Sequence, residues 1–558
     1  MKIIYRTIMM LVAWVLISGP AGTLYGQYSN NFEISKNLEI YATLLRELNK
    51  NYVDEISPGE LTQTGIDAML ETLDPYTVYI PESQVEDYRF MTTGEYGGIG
   101  SMIHKQGDWV VISEPYEDNP AMKAGLRAGD RIVAVDGHSV KGKSTSDVSG
   151  LLKGEPGSEV TVTIQRPGTE QPMDITLKRE TVSVKNVPYS GLLDGNIGYI
   201  KLTGFTRDAA SEVKKAFLSL KNENELKGLI LDLKGNGGGL LQEAVKIVNL
   251  FVEKGEMVVS TRGKLPAKNQ VYYTTDPPVD TEIPLVVLVD GASASASEIV
   301  AGALQDHDRA VIIGENTFGK GLVQNVIPLA YNAQAKITVA KYYIPSGRCI
   351  QELDYQHRDK NGKATQIPDS LVTAFKTKNG RTVYDGHGIA PDIEVERPEM
   401  KPVIFSLISQ FKIFDFATQF ALQHPAIPSA DSFTVDDQLF DEFTNWLSEE
   451  NFTWENDCDK ALEQLRNAAE KSGYTDALNP LLDQLAGQLE ELKSEDLIAG
   501  RKEIEQLLTL EIVGRYYYQT GKIVASLNMD PDITRAKEVL LQRDQYLAIL
   551  SGTPEGNN

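Results

Sequence analysis

Short apolar strands alternate with amphipathic helices between residues 182 and 396. Strands are predicted at 197–202, 228–233, 284–289 and 310–313, and helices at 208–220, 240–252 and 297–305. Apolar runs of this length, each followed by a helical pattern, are typical of a sheet with helices packed against it. The alternation therefore predicts a layered α/β core in this part of the chain.

The segments that flank this core have other patterns. Residues 35–88 have a helical pattern, with apolar side chains at intervals of three and four: Leu38, Tyr41, Leu45 and Leu48. Residues 94–181 contain short β-branched runs separated by glycine and proline, which predicts a small β-rich module. The chain as a whole is therefore predicted to be multidomain, combining the α+β and α/β classes.

From Pro402 onward the chain is helical and acidic, with few strand signals. One apolar stripe in this segment consists of Leu481, Leu485, Leu489 and Leu492. Such a stripe is typical of a helix that buries one face. No residue pattern in this segment points to chemistry.

The first residues carry the pattern of a secretory signal peptide. Lys2 and Arg6 precede an apolar run at 8–17, and small residues follow at 18–22. The run is shorter than the roughly 20 residues that a spanning helix needs. We expect export out of the cytoplasm, to the periplasm or another extracytoplasmic site. An uncleaved anchor is the alternative, and it is compatible with peripheral membrane association.

Charge and cysteine content exclude several classes of protein. The chain has 78 acidic and 54 basic residues and a net charge of −24, so a nucleic-acid partner is not expected. Cys349 and Cys458 exclude a disulfide framework, although a single bridge stays open. The six histidines lack zinc-binding spacing, and we predict neither a metal nor a cofactor.

The string Asp290-Gly-Ala-Ser-Ala-Ser-Ala-Ser-Glu298 lies between a predicted strand and a predicted helix. A serine at such a turn can present its hydroxyl beside the free N–H groups of the helix N-terminus, which suit an oxyanion. Ser295 is thus a candidate nucleophile. The same spacing of Ser295 and Glu298 fits a helix-capping box, and that alternative stays open.

The string Gly314-Glu-Asn-Thr-Phe-Gly-Lys-Gly321 comes close to a phosphate-binding loop. Two features oppose that interpretation: position 321 is glycine instead of serine or threonine, and the next residues, 322–329, have a strand pattern. Lysine can instead serve as the base of a serine nucleophile where a pocket of low dielectric favours its neutral form. Lys320 is the candidate, and an ordinary surface lysine is the alternative.

A third string, Asp232-Leu-Lys-Gly-Asn-Gly-Gly-Gly239, also ends a predicted strand. Its glycines allow backbone N–H groups to approach a ligand closely. The string could supply a second oxyanion donor, or it could be a tight left-handed turn.

Together the three strings resemble the carboxy-terminal processing proteases, a family of tail-specific Ser–Lys peptidases. The resemblance covers residues 38–396. It implies that Ser295 is the nucleophile, that Lys320, 25 residues later, is the base, and that Gln324 orients Lys320. It also implies that oxyanion donors come from the N–H of Ala296 and from a glycine of the Gly237-Gly238 pair. The family fold resembles the crotonase/ClpP-like α/β architecture.

The β-rich module resembles a protease PDZ domain, through the string at 119–137 and the loop at 96–100. In such a domain an extended tail adds to the sheet edge, and N–H groups bind its terminal carboxylate. The resemblance implies that Gly98, Ile99 and Gly100 form this loop and that Ile99 helps to receive the last side chain.

These observations predict an exported serine endopeptidase that cleaves proteins near apolar C-terminal tails. The predicted segments are a signal peptide at 1–26, an N-terminal helical region at 27–93, a PDZ domain at 94–181, a protease core at 182–398 and a helical C-terminal domain at 399–558. The C-terminal helices are candidates for homodimer or adaptor contacts. A catalytically silent scaffold or chaperone that only binds tails is the alternative function.

Overall fold

The computed structural model describes residues 21–360, 362–397 and 399–552. Most of the predicted signal peptide, residues 1–20, lies outside this range. The described residues fall into two units: residues up to Tyr79 together with 326–337, and residues 80–325 together with those from 338 onward. Within the described ranges, no helix is both long enough and apolar enough to cross a membrane.

The first unit is built mainly from two helices, α1 (Ala21–Asn51) and α2 (Pro58–Glu71). The Ser57 side chain caps α2 by accepting a hydrogen bond from the Glu60 N–H, and Pro58 occupies the first helical turn, where its missing donor is harmless. No residue of α2 is buried. On α1, apolar side chains such as Leu38 (62% exposed) are open to solvent.

The strands of the chain are numbered in chain order. They are β1 (Val78–Ile80), β2 (Glu95–Gly98), β3 (Ser101–Gln106), β4 (Trp109–Pro115), β5 (Arg131–Val135), β6 (His138–Ser139), β7 (Glu159–Gln165), β8 (Met173–Lys178), β9 (Glu180–Ser183), β10 (Tyr189–Leu193), β11 (Ile197–Lys201), β12 (Gly228–Asp232), β13 (Met257–Gly263), β14 (Gln270–Tyr273), β15 (Leu285–Val289), β16 (Val311–Gly314), β17 (Leu322–Pro328), β18 (Gln334–Tyr343), β19 (Leu353–Arg358), β20 (Ala364–Gln366), β21 (Ala374–Lys376), β22 (Thr382–Tyr384) and β23 (Ile393–Glu394).

The remaining helices belong to the second unit. They are α3 (Val85–Thr93), α4 (Pro120–Lys123), α5 (Thr145–Leu152), α6 (Ala209–Glu223), α7 (Leu241–Val248), α8 (Ala296–Asp306), α9 (Pro402–Ser409), α10 (Lys412–Gln423), α11 (Asp437–Glu449), α12 (Asp457–Ser472), α13 (Thr475–Ala499), α14 (Arg501–Ser526), α15 (Pro531–Leu541) and α16 (Arg543–Ser551).

The β-rich module is a sheet in the order β3-β4-β5-β7-β8, with β6 paired to β5. Alternate residues of β7, such as Val160 and Val162, point into the core of the module, as a strand with one buried face requires. Strands β2 and β9 pair antiparallel where the chain enters and leaves the module. Strand β3 lies at an edge of the module sheet.

The central sheet has the order β10-β11-β12-β15-β16-β23, and its strands from β11 onward are parallel. Strands β12 and β15 are buried along their whole length, as parallel strands covered on both faces must be. Helices α6, α7 and α8 pack on one face. Helices α15 and α16 pack on the other, through residues that include Ile533, Val539 and Tyr546.

Helices α9, α10, α11 and α14 share a separate core that includes Leu407, Phe443 and Leu508. The leucine stripe predicted on α13 differs from expectation, because Leu481 (62%) and Leu492 (58%) are exposed. The buried leucine of this turn is Leu482. The predicted fold class is confirmed: a mixed α/β core with an inserted β-rich module, a helical N-terminal region and a helical C-terminal region.

Candidate active site

The three sequence strings leave the same edge of the central sheet. Strands β12, β15 and β16 are neighbours and parallel, and their registers pair Asp232 with Leu288 and Val289 with Gly314. Because parallel strands end at one edge, the segments that follow them lie side by side. The topology therefore brings together segments that are far apart in sequence.

Ser295 stands at the turn between β15 and α8, in an unusual backbone conformation. Its φ of 55° and ψ of −108° lie outside the regions that a residue with a side chain normally occupies. Such strain persists only where neighbouring contacts hold it, and it occurs frequently at functional sites. Here Ala294 donates its N–H to the Asn236 carbonyl at 3.0 Å, and the Ser297 hydroxyl donates to the same carbonyl at 2.8 Å. The turn is therefore tied to the loop after β12.

The Glu298 carboxylate joins the serine turn, residues 290–295 between β15 and α8, to the lysine loop, residues 315–321 between β16 and β17. It accepts hydrogen bonds from the backbone N–H groups of Ser295 at 2.7 Å, Gly319 at 2.7 Å and Lys320 at 2.9 Å. The Thr317 hydroxyl donates to it at 2.7 Å. The bond from the Ser295 N–H is one half of the predicted capping box, but three of the four donors belong to another segment.

Glu298 is fully buried, and burial disfavours its charged form. Although the four donors favour the carboxylate, burial has the larger effect and raises the pKa of Glu298 to about 7. The protonation state of this group therefore changes close to neutral pH.

Tyr342 makes a second connection between the two segments. Its hydroxyl lies 3.1 Å from the Ser295 carbonyl oxygen and also contacts the Lys320 carbonyl oxygen. The Tyr342 side chain is almost completely buried, so its position is fixed by packing. No local sequence pattern predicts this role of Tyr342, which lies on strand β18.

Lys320 lies in the loop between β16 and β17, and its side chain is half-buried. A strand follows this loop, as predicted, whereas a phosphate-binding loop would open a helix. The nucleotide-binding alternative is thereby excluded. Four residues further on, the Gln324 amide donates to the Thr338 hydroxyl at 3.2 Å.

The loop of residues 236–239, here named the glycine loop, approaches the serine turn closely at Gly238. A Cβ at Gly238 would lie 2.6 Å from the Ala294 carbonyl oxygen and 2.9 Å from the Ser295 Cβ, and its φ is +95°. Only glycine fits such a position. The Gly238 N–H donates to the Asn236 side chain at 2.9 Å. The Gly237 N–H donates to no acceptor among the described residues.

In the β-rich module, Gly98 ends β2, and Ile99 and Gly100 connect it to the edge strand β3. Gly100 has a φ of +72°, and a Cβ there would lie 2.4 Å from the Asn119 Cβ. The Ile99 side chain is only 3% exposed and packs in the module core. The expectation that Ile99 receives a tail side chain therefore has little support, because its surface is already covered within the module.

Cys349 and Cys458 are free cysteines and do not form a disulfide with each other. Within the described ranges, no group of three histidine, cysteine or acidic side chains could hold a metal ion.

Comparisons with known families cover most of the chain in three parts. The model of peptidase family S41 matches residues 196–356, and a PDZ domain model matches residues 111–166. A third model, described as a probable PDZ-protease C-terminal helical domain, matches residues 403–540.

Named relatives have the same character. A carboxy-terminal-processing protease from Bartonella bacilliformis is 37% identical over 351 residues, which are 62% of this chain and 80% of the relative. A probable CtpA-like serine protease from Staphylococcus epidermidis is 31% identical over 499 residues, 87% of this chain and 91% of the relative. Among solved structures, the photosystem II D1 C-terminal processing protease is 30% identical and matches 64% of this chain and 92% of its own, with a TM-score of 0.34.

Proposed function

The chain belongs to the carboxy-terminal processing proteases of peptidase family S41, and we propose that it cleaves exported proteins near their C-terminal tails with Ser295 as nucleophile and Lys320 as base. Membership in this family makes it a serine-type peptidase with a PDZ domain. The observation that carries the residue assignment is the Glu298 carboxylate, which binds the backbone of both Ser295 and Lys320.

In the proposed reaction, uncharged Lys320 takes the proton of the Ser295 hydroxyl. The resulting alkoxide attacks a peptide carbonyl, and a tetrahedral oxyanion forms. Lys320 then gives its proton to the leaving amine, and water hydrolyses the acyl-enzyme. Gln324 is assigned the orientation of Lys320, and its own bond to Thr338 fixes the glutamine amide for that role.

We assign the oxyanion donors to the N–H groups of Ala296 and Gly237. Ala296 begins helix α8, where N–H groups lack partners within the helix. Gly237 is preferred over Gly238 because the Gly238 N–H already donates to Asn236. Gly238 then acts as the small residue that lets the glycine loop approach Ser295.

Tail capture is assigned to the edge of strand β3 and the loop Gly98-Ile99-Gly100. An edge strand offers unpaired backbone groups to an extended peptide, and the loop is assigned the terminal carboxylate. An apolar last side chain would enter beside Ile103 and helix α5, since the Ile99 side chain is covered.

Export rests on the charged start and apolar run of residues 2–22, which lie almost wholly outside the described residues. The mature enzyme is accordingly placed in the periplasm or another extracytoplasmic compartment. Cleavage of the signal would release it, whereas an uncleaved run would hold it at the membrane surface.

Self-association is also proposed, and two surfaces support it. On the C-terminal helices, Phe405 (64%) and Ile408 (42%) are exposed and could receive a second copy or an adaptor. On α1, an apolar stripe runs along the helix, with Ile34, Leu38, Tyr41 and Leu48 exposed and Leu45 half-buried. We favour α1, because its stripe follows the intervals of four and three that pair helices into coiled coils.

The deciding experiment compares one unfolded protein with two different tails. We expect the full chain to degrade the version with an apolar C-terminus and to spare the version that ends in Asp-Asp. Ser295→Ala and Lys320→Arg should each lose at least about a hundredfold in turnover, because the nucleophile is removed or its base cannot deprotonate. Circular dichroism of both variants controls for folding.

Normal turnover by Lys320→Arg would show that Lys320 is not the base. Binding of the apolar tail by the wild-type chain without any cleavage would favour the silent scaffold. Deletion of residues 94–181 should abolish the preference between the two tails, and a preference that survives this deletion would place tail recognition elsewhere.

A further inference from the structure

A buried ion-pair cluster connects the C-terminal helix α15 to the segment that carries the glycine loop. The Lys234 amine contacts the carboxylates of Asp530 and Asp532, at 2.8 Å for Asp532. These residues are almost 300 positions apart in sequence. The side chain of Lys234 is 9% exposed and that of Asp532 is 0% exposed, so the contact lies inside the protein.

The backbone of Lys234 is held as firmly as its side chain. Its N–H donates to the Asp232 carboxylate at 2.9 Å, and its carbonyl accepts from the Lys201 amine at 2.8 Å. Asp232 in turn accepts from the Tyr199 hydroxyl at 2.6 Å. Lys234 is therefore fixed at both ends, and Asn236, the first residue of the glycine loop, follows two positions later.

The cluster contains four acids and three bases: Asp232, Glu315, Asp530, Asp532, Lys201, Lys234 and Arg397. Burial favours the neutral amine of Lys234, but the three surrounding carboxylates outweigh it and raise the pKa of Lys234. The side chain is consequently a buried cation. Removing one partner of such a pair leaves an uncompensated charge, so the neighbouring backbone must move or admit water.

Helix α15 has its own fixed position on the central sheet. Asp530 caps the helix by accepting from the Asp532 N–H at 2.9 Å, and Ile533 and Val539 pack into the sheet core. The N-terminus of α15 therefore presents two carboxylates at a defined point beside Lys234. The opposite side of the glycine loop is held by the serine turn, through the bonds to the Asn236 carbonyl.

We propose that helix α15 positions the oxyanion-binding glycine loop, with Lys234 as the positioning residue that transmits its placement. This inference rests on the proposed roles of Ser295 and Gly237. It gives the C-terminal end of the chain a part in catalysis that is separate from tail capture, because the ion pairs touch neither the β-rich module nor the peptide-binding edge. Loss of the contact should lower kcat and leave KM almost unchanged.

The main test is Lys234→Met in the full chain, measured by kcat and KM on a peptide with an apolar tail. We expect kcat to fall by about tenfold or more, short of the 100–1,000-fold that loss of an oxyanion donor costs. KM should stay within about twofold. Lys234→Arg keeps the charge and should recover most of the wild-type kcat.

Two further measurements separate positioning from general stability. Affinity for a peptide boronate, whose tetrahedral adduct on serine mimics the oxyanion, should fall with kcat, while affinity for the plain tail peptide should not. Hydrogen exchange of the amides at 236–239 should become faster. Tyr546→Phe is the matched control, because it removes a contact of α16 with Leu285 that lies away from the glycine loop, and it should leave kcat and this exchange unchanged.

Asp530→Asn covers the case in which Lys234→Met fails to fold. Asparagine still caps α15 but removes one charge next to Lys234, so kcat should fall about threefold. A folded Lys234→Met with kcat within twofold of wild type would overturn the proposal, and so would an unchanged kcat and exchange in Asp530→Asn. Cleavage by Ser295→Ala would instead refute the proposed function, while faster exchange at 236–239 in Lys234→Met would still support the positioning contact.

Discussion

At the scale of single residues, the candidate site combines a strained serine with a glycine that no other residue can replace. Ser295 has a positive φ in spite of its side chain. A conformation of this kind costs about 1–3 kcal/mol and must be held by its surroundings. Gly238 is one of the residues that hold this conformation, because its backbone lies against the Ala294 carbonyl and the Ser295 Cβ.

Gly238→Ala should therefore displace the serine turn. Its added methyl group would lie under 3 Å from three atoms of that turn, and we expect kcat to fall by at least about a hundredfold, as when an oxyanion contact is lost. Gly235→Ala is the matched control: its φ is also positive, at +72°, but a Cβ there meets nothing within 4 Å. It should cost about 1 kcal/mol of stability and far less activity.

Steady-state kinetics on a tailed peptide and urea unfolding of both variants make this comparison. Equal losses of kcat in the two variants would mean that backbone strain, and not the close approach to Ser295, is responsible.

At the scale of elements, the sequence predicts what is local and misses what is brought together by the fold. Strands β12, β15 and β16 and helix α8 follow from apolar runs and helical spacing, and the strand after Lys320 follows from its β pattern. The contacts of Tyr342 and Asp532 have no local signal, because their partners are distant in sequence. On α13 the sequence predicts a buried leucine face that the structure leaves exposed. Periodicity identifies an apolar face of a helix but does not reveal whether another element covers that face.

Helix α8 illustrates how an element can carry a pH dependence. All its residues are buried, and Glu298 in its first turn holds the lysine loop. Between about pH 4.5 and 7 the folded chain retains a proton on Glu298 that the unfolded chain has released, since burial raises the pKa of Glu298 to about 7. The contribution of this group to stability should thus decrease as pH rises through that range and stay constant above it.

Glu298→Gln removes this titration. The difference in the free energy of unfolding between wild type and Glu298→Gln should change between pH 5 and 7 and become flat above pH 7. Because the glutamine amide would face N–H donors, kcat should also fall, by about 10–100-fold, the value of a charge-assisted hydrogen bond or two. A difference in unfolding free energy that does not vary over pH 5–8 would contradict the assigned titration.

At the scale of the whole molecule, the acidic chain exposes an apolar stripe on α1 that lies in a segment without net charge. The net charge is −24, so most surfaces of two copies repel each other. The segment 31–52, which includes most of α1, differs from these surfaces because its charges cancel. It has three acidic residues (Glu33, Glu39 and Glu47) and three basic residues (Lys36, Arg46 and Lys50). A second copy of the chain offers the same neutral stripe, which supports the self-association proposed above.

The positions that flank the stripe strengthen this argument, because they carry no charge: Ser35, Asn37, Ala42, Leu44 and Asn49. In coiled coils, charges at such positions select the partner, and their absence permits like helices to pair.

Leu38→Glu should therefore shift the full chain from dimer to monomer in light scattering after size exclusion. The unfolding midpoint of the monomer should stay unchanged, because Leu38 is 62% exposed. Thr43→Glu adds the same charge on the outer face of α1 and should leave the dimer intact. A wild-type chain that is monomeric at micromolar concentration would exclude α1 as the contact. A Leu38→Glu variant that remains dimeric would exclude it too, and the exposed Phe405 on α9 would then be the next residue to change.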